Sequence, residues 1–243
     1  MKLVLLIGLL QAGFSHAHFA FGRVGVNGND IGGEYEYIRP HSMALVGVST
    51  SPTVGFTSEY LRCNKYTKPS KTLAVAAGDK ISFILAQPSR QRIIFDHPGP
   101  GLIYMSKAPE SGVDSYDGSG DWFKVMESGI CARNGTAPNP KVDWCHYLSD
   151  RLEFTIPKTI PPGEYLVRAE LLAIHFALHW GEVQVYGECA QLNITGPGGG
   201  TPGPLVKIPG IYNLSDPGFA YDLEKNPPIA LPYIMPGPKL WSG

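Results

Sequence analysis

Glycine and proline punctuate this chain, 29 and 22 of its 243 residues. Only short runs lie between these breaks, and none reads as a long amphipathic helix. The runs have strand character instead. Residues 19–26 half-alternate and close on Asn27-Gly28-Asn29-Asp30, a turn-rich tetrapeptide. Tyr35, Tyr37 and Arg39 alternate before Pro40. Residues 73–77 reach the turn Gly78-Asp79, after which Ile81, Phe83 and Leu85 alternate again. Further strand candidates cover 92–95, 102–104, 152–156, 165–173 and 183–194. Residues 111–121 and 133–143 read as long loops carrying short helical turns. Short strands at this spacing, with turn signals between them, predict an antiparallel β-sandwich. Residues 196–204 are rich in glycine and proline. The chain beyond residue 204 is too short for a separate domain, so it is expected to lie over the sandwich as an irregular strap. No internal repeat is visible.

The start of the chain has a different character. Lys2 supplies a positive charge, residues 4–10 an apolar run, and Ser15-His16-Ala17 a small-x-small cleavage site. These are the parts of a secretory signal, which predicts removal of residues 1–17 and an extracellular mature protein. The apolar run is too short to span a bilayer, which takes about 20 residues. Residues 18–243 are then expected to form one domain, large enough to bury a real core. Net charge is -1 and 17% of residues are charged. That balance argues against nucleic acid, acidic polymers and anionic membranes as partners, and favours a neutral substrate.

The four cysteines are Cys63, Cys131, Cys145 and Cys189. An even count in a secreted chain suggests two disulfides, with three possible pairings. They would reinforce the fold rather than create it. No C-x-x-C spacing is present, which argues against a zinc cluster. N-x-S/T sequons at Asn134, Asn193 and Asn213 are candidate glycan sites.

Cleavage after Ala17 would make His18 the first mature residue. One residue then offers two nitrogen ligands, the α-amino group and the imidazole. Their ordinary pKa values, about 7.7–8.0 and 6.5, let a metal displace the protons near neutral pH. One more imidazole completes a planar three-nitrogen set of the kind that selects Cu(II). The second candidate is His97, in Phe95-Asp96-His97-Pro98-Gly99-Pro100. Two prolines and a glycine stiffen that loop, so a ligand on it loses little conformational freedom. A third cluster contains His175, after Leu171-Leu172-Ala173-Ile174, together with Gln184-Val185-Tyr186. Residues two apart in a strand share a face, so Gln184 and Tyr186 point one way and Val183 and Val185 the other. A sandwich strand should bury its valine face. The Gln/Tyr face then needs polar partners, and His175 is a candidate. Taken singly, each has a plain alternative: an arbitrary first residue, a loop histidine making one hydrogen bond, an ordinary core tyrosine.

Together, and in this order, these residues resemble the fungal lytic polysaccharide monooxygenases of auxiliary activity family nine. The likeness runs over nearly the whole mature chain. It includes His18-Phe19, Tyr37-Ile38-Arg39-Pro40, Val75-Ala76-Ala77-Gly78-Asp79 and His97-Pro98-Gly99-Pro100. Gly118-Ser119-Gly120-Asp121-Trp122-Phe123-Lys124 continues it, and then Pro162-Gly163-Glu164-Tyr165 with Arg168, Glu170 and His175. Gln184-Val185-Tyr186 with Cys189-Ala190-Gln191 comes next, and Thr201-Pro202-Gly203-Pro204 and Pro236-Gly237-Pro238 close the match. The resemblance implies an immunoglobulin-like antiparallel β-sandwich with long loops and a flat copper-bearing face. It implies one copper per chain, held by His18 and His97, with Tyr186 in the axial position. His175 and Gln184 would position or protonate the oxidant. It also implies a Cys63–Cys189 disulfide, leaving Cys131 with Cys145. The implied partners are cellulose or a related β-glucan, O2 or H2O2 and an external electron donor, met by a monomer outside the cell.

Three positions depart from the family pattern. Pro98 stands where a second histidine is frequent, Gly101 where Val or Ile is, and Glu224 where a surface tyrosine usually sits. A carboxylate cannot stack on a sugar ring, so the scaffold could also serve as a non-catalytic copper-binding or cell-wall-associated protein. The complete set His18, His97, His175, Gln184 and Tyr186 favours the enzyme. A hydrolase would need paired acids, and no such motif is found.

Overall fold

The structure is a computed structural model. It describes residues 19–41, 48–50, 56–64, 70–86, 93–131, 138–180, 182–220, 223 and 232–243. His18 and the segment before it, Arg92, Asn134 and Glu224 lie outside the described residues.

Two sheets stack. The first contains β1 (Phe21–Val26), β2 (Asn29–Ile31), β5 (Lys80–Leu85) and β8 (Arg151–Thr155), in the order β2-β1-β5-β8. All its pairs are antiparallel. The second contains β3 (Val48–Thr50), β4 (Leu73–Ala76), β6 (Gly101–Lys107), β7 (Phe123–Ser128), β9 (Gly163–Ala173) and β10 (Val183–Thr195). Its order is β3-β10-β9-β6-β7, and β4 also joins β10. That last pair is parallel, the one departure from antiparallel pairing among the named strands. The single α-helix among the described residues is one turn, α1 (Ala177–Trp180). No helix there is long and apolar enough to cross a membrane.

Burial explains why β6 and β9 lack a clean polar–apolar alternation. Ile103, Met105, Val167, Ala169 and Leu171 join the core between the sheets. Their neighbours Leu102, Tyr104, Leu166 and Leu172 join a second cluster on the outer face of the larger sheet. Both faces are buried, so both carry apolar side chains. The chain after β10 covers the outer face, with Ile208, Tyr212 and Phe219 packed into it. Residues 196–204 indeed form no regular element, and the chain beyond is held by bridges from Val206 to Trp122 and from Leu240 to Lys124.

This outer layer buries charge. Arg168 pairs with Glu170 at 2.6 Å, both essentially inaccessible. Tyr212 donates to Glu170, and the Tyr104 and Tyr212 hydroxyls lie 2.7 Å apart. Each charge has a partner, as burial demands. The disulfides are Cys63–Cys189 and Cys131–Cys145.

Four expectations are corrected. The tetrapeptide at 27–30 is not all turn. Asn27 and Gly28 alone take positive φ (50° and 86°), a two-residue hairpin loop, while Asn29 and Asp30 already pair with β1. Tyr35, Tyr37 and Arg39 form no strand: Ile38 makes one isolated bridge to Ala190, between β3 and β4 on the same edge of β10. Tyr35 has φ 56° and Pro40 lacks an N–H, so no continuous ladder forms here. Residues 93–95 also form no strand. Phe95 instead exchanges backbone hydrogen bonds with Ser149 and Leu148. Finally, β7 has no counterpart among the expected strands. Its Lys124 is fully buried, donating to Glu127 and to the Pro236 carbonyl, so it breaks the apolar pattern without leaving the interior.

Candidate metal centre

The site forms where one end of the larger sheet meets the loop before β6. Pro98 and Pro100 carbonyls accept hydrogen bonds from Ile174 and Leu172, each at 3.0 Å, which stitches the loop to the end of β9. Between them Gly99 has φ 147°, and a Cβ there would collide with the Leu172 carbonyl. Only glycine allows this approach. The result brings His97 beside His175, two residues past β9, with ring centroids 4.9 Å apart.

The β9–β10 register supplies the rest. Gln184 pairs with Ala173 and Tyr186 with Leu171. Gln184 and Tyr186 share a face, and the Tyr186 hydroxyl donates to Gln184 Oε1 at 3.0 Å. Tyr186 is buried and its ring lies 5.6 Å from His97. Phe19 stacks on Tyr186 at 4.4 Å and sits 5.8 Å from His97. Thus His97, His175, Gln184 and Tyr186 come together. Phe19, the residue that follows His18 in the sequence, packs at this place. The polar partner expected for the Gln/Tyr face proves to be internal, Tyr186 to Gln184, rather than His175. Val183 and Val185 are buried as expected, but against the outer cluster; Tyr186 faces the inter-sheet core.

Electrostatics follow from burial. Burial pushes the Tyr186 phenol well up, and the Asp96 and Glu182 carboxylates add to this. Burial pulls His175 down to about 4, with His97 adding and Glu182 opposing. Both groups are therefore neutral at ordinary pH. His175 Nδ1 is buried with no hydrogen-bond partner among the described residues. Asp96 Oδ1 stands 3.5 Å from His97 Nδ1, so the ring turns Nε2 away from the carboxylate. Sequence reasoning passed over two neighbours, Asp96 and Phe176, whose ring lies 4.1 Å from His175. Adjacency to the chosen histidines was the available signal.

Could these residues hold a metal? Among the described residues no group of three His, Cys, Asp or Glu side chains gathers around one point. Two imidazoles and a phenol do gather, beside Phe19. Nitrogen-rich sets with a weak axial oxygen suit copper better than calcium or magnesium. The donor chemistry fits copper, provided residue 18 contributes.

The family model for Auxiliary Activity family 9 (formerly GH61) matches residues 18–232. The chain belongs to this family. Its relatives in family 9 include lytic polysaccharide monooxygenase D of Aspergillus tamarii, 38% identical over all of this chain and 87% of that protein. Lytic polysaccharide monooxygenase H of Malbranchea cinnamomea is 37% identical over 97% of each. Among solved structures, a cellulose-active polysaccharide monooxygenase from M. thermophila superposes with a TM-score of 0.70 at 30% identity, over 93% of this chain and all of that one. A family 61 member from Hypocrea jecorina, at 23% identity and a TM-score of 0.76 over 92% of this chain and all of that one, shares the β-sandwich fold.

Of the three departures from the family 9 pattern, Gly101 has a local reason. A Cβ there would lie 2.8 Å from Leu152 and 3.3 Å from His146, so those side chains occupy the space a larger residue would need.

Proposed function

We propose that this chain is a secreted, copper-dependent lytic polysaccharide monooxygenase acting on a β-1,4-glucan. Residues 1–17 serve as the export signal, and residues 18–243 form the single mature domain. The observation that carries the reading is the convergence of His97, His175, Gln184 and Tyr186 beside Phe19. Family 9 membership and the cellulose-active structural relative support the activity and the substrate class.

His18 and His97 would hold the copper in this reading, with the Tyr186 phenol beside them. Copper bound there would take electrons from an external donor and use O2 or H2O2 to remove hydrogen from C1 or C4 of the sugar. The protein's own part is geometric and protonic. The stitched loop fixes His97. Asp96 faces its far nitrogen, as carboxylates commonly do behind metal-bound imidazoles. The bond to Gln184 aims the Tyr186 hydroxyl. His175, neutral through burial, can donate or accept one hydrogen bond at the reacting face.

The test is to load the mature protein with copper, add reductant and several glucans, and read products by mass spectrometry. Oxidised oligosaccharides are expected, and the position of oxidation gives C1 or C4. Copper binding without oxidised products would favour a non-catalytic role. An amino terminus elsewhere than residue 18 would remove the chelate.

A further inference from the structure

The site ends in an apolar projection that the metal chemistry does not use. Phe176 follows His175 directly, and 40% of its surface is exposed. Its backbone is fixed on the downstream side: Glu182 N–H donates to its carbonyl, and Ala177 N–H turns back to Ile174. Leu178, in α1, is 44% exposed. A half-exposed aromatic on fixed backbone is costly to leave in water and has only two χ angles to immobilise on binding.

We infer that Phe176 is a substrate-contacting residue, a stacking platform for a pyranose ring of the glucan. The inference rests on the monooxygenase reading above. A chain whose C–H hydrogen is removed at the metal must lie against the surface formed by His97 and His175. Phe176 is 4.1 Å from the His175 ring and is therefore under that chain or at its side. The axial hydrogens of a β-linked pyranose present an apolar face that matches an aromatic ring. The glucan is thereby gripped beside the reacting group.

The experiment measures binding of the copper-loaded protein to amorphous cellulose and to cellohexaose, with product analysis in parallel. Phe176→Ala is expected to weaken binding roughly five- to tenfold, the loss of part of one aromatic contact. Its Cu(II) electron paramagnetic resonance spectrum without sugar should match wild type, showing that His175 and His97 have not moved. Phe176→Tyr should bind as wild type. Leu205→Ala removes another exposed apolar side chain, 55% accessible, beyond the opposite end of β7, and should change nothing. If Phe176→Ala does not fold, Phe176→Leu, which keeps apolar volume without a ring, takes its place with the same expected loss. Wild-type affinity in the ring-less variant, with wild-type protein still releasing oxidised oligosaccharides, overturns the inference and leaves the enzyme reading standing. Wild-type protein that neither binds nor oxidises any glucan overturns both.

Discussion

Two histidine neighbourhoods share one wall and differ in everything else. His97 and His175 lie beyond Phe19; His146 lies behind Phe95, which packs edge-on against both Phe19 and His146. Around His97 are a second imidazole at 4.9 Å, a phenol ring at 5.6 Å and a carboxylate oxygen at 3.5 Å. His146 has one side-chain partner, Ser128 Oγ at 2.8 Å from Nδ1, in a cavity that Glu127, Arg151 and Glu153 also line. Its Nε2 is buried with no partner among the described residues. Burial alone drives its pKa down to about 3. A histidine among other donors can share a metal ion. A buried histidine without a second imidazole or a phenol beside it is held neutral by burial. Residue type does not separate the two; surroundings do.

The largest expected difference is in metal affinity. His97→Ala should lower Cu(II) affinity by more than about 100-fold, beyond what losing an outer hydrogen-bond partner costs. His146→Phe should leave it unchanged. Competition against a chelator measures both, and equal losses would erase the distinction. Next comes stability against pH. The folded pKa of His146 lies below its unfolded value of about 6.5, so the unfolded chain takes up the proton first. Stability present above pH 6.5 is therefore lost as pH falls toward about 3. At pH 4 the loss is roughly 2–4 kcal/mol. Denaturation of His146→Phe should show a shallower acid limb than wild type. Identical limbs would mean that His146 does not carry this dependence.

Much of this arrangement was legible before the fold. The long β9 and β10 and the Gln184/Tyr186 face arise from local chemistry that the structure retains. What escaped depends on distant partners. Buried Lys124 hides β7, because its partner, the Pro236 carbonyl, becomes visible only when the C-terminal chain crosses the outer face. Val183 and Val185 are buried as expected, but under that covering chain, which gives the sheet a second interior. The His97–His175 approach depends on Gly99 fitting under the Leu172 carbonyl, a contact no spacing along the chain announces.

Asp96 sharpens the comparison, because it supplies the charge that the His146 neighbourhood lacks at Nε2. Asp96→Asn keeps shape and removes charge. The expected result is about a tenfold loss of Cu(II) affinity, the usual cost of weakening a carboxylate behind a ligating imidazole. Circular dichroism should remain unchanged. Retained affinity would mean that the 3.5 Å approach is only a consequence of the two residues being neighbours in sequence.

The smallest expected effect tests the axial position. Tyr186→Phe removes one hydroxyl and its bond to Gln184 Oε1 while keeping the ring that stacks on Phe19. The stability cost should be about 0.5–1.5 kcal/mol, that of one hydrogen bond. Copper should remain bound, because a weak axial oxygen contributes little beside nitrogen ligands in the plane. Its electron paramagnetic resonance parameters should nevertheless shift, since the axial field changes when the oxygen leaves. A variant with the same small stability loss but an unaltered spectrum would assign Tyr186 to packing alone. Tyr186 would then belong with His146, as a polar group held in the core for its shape.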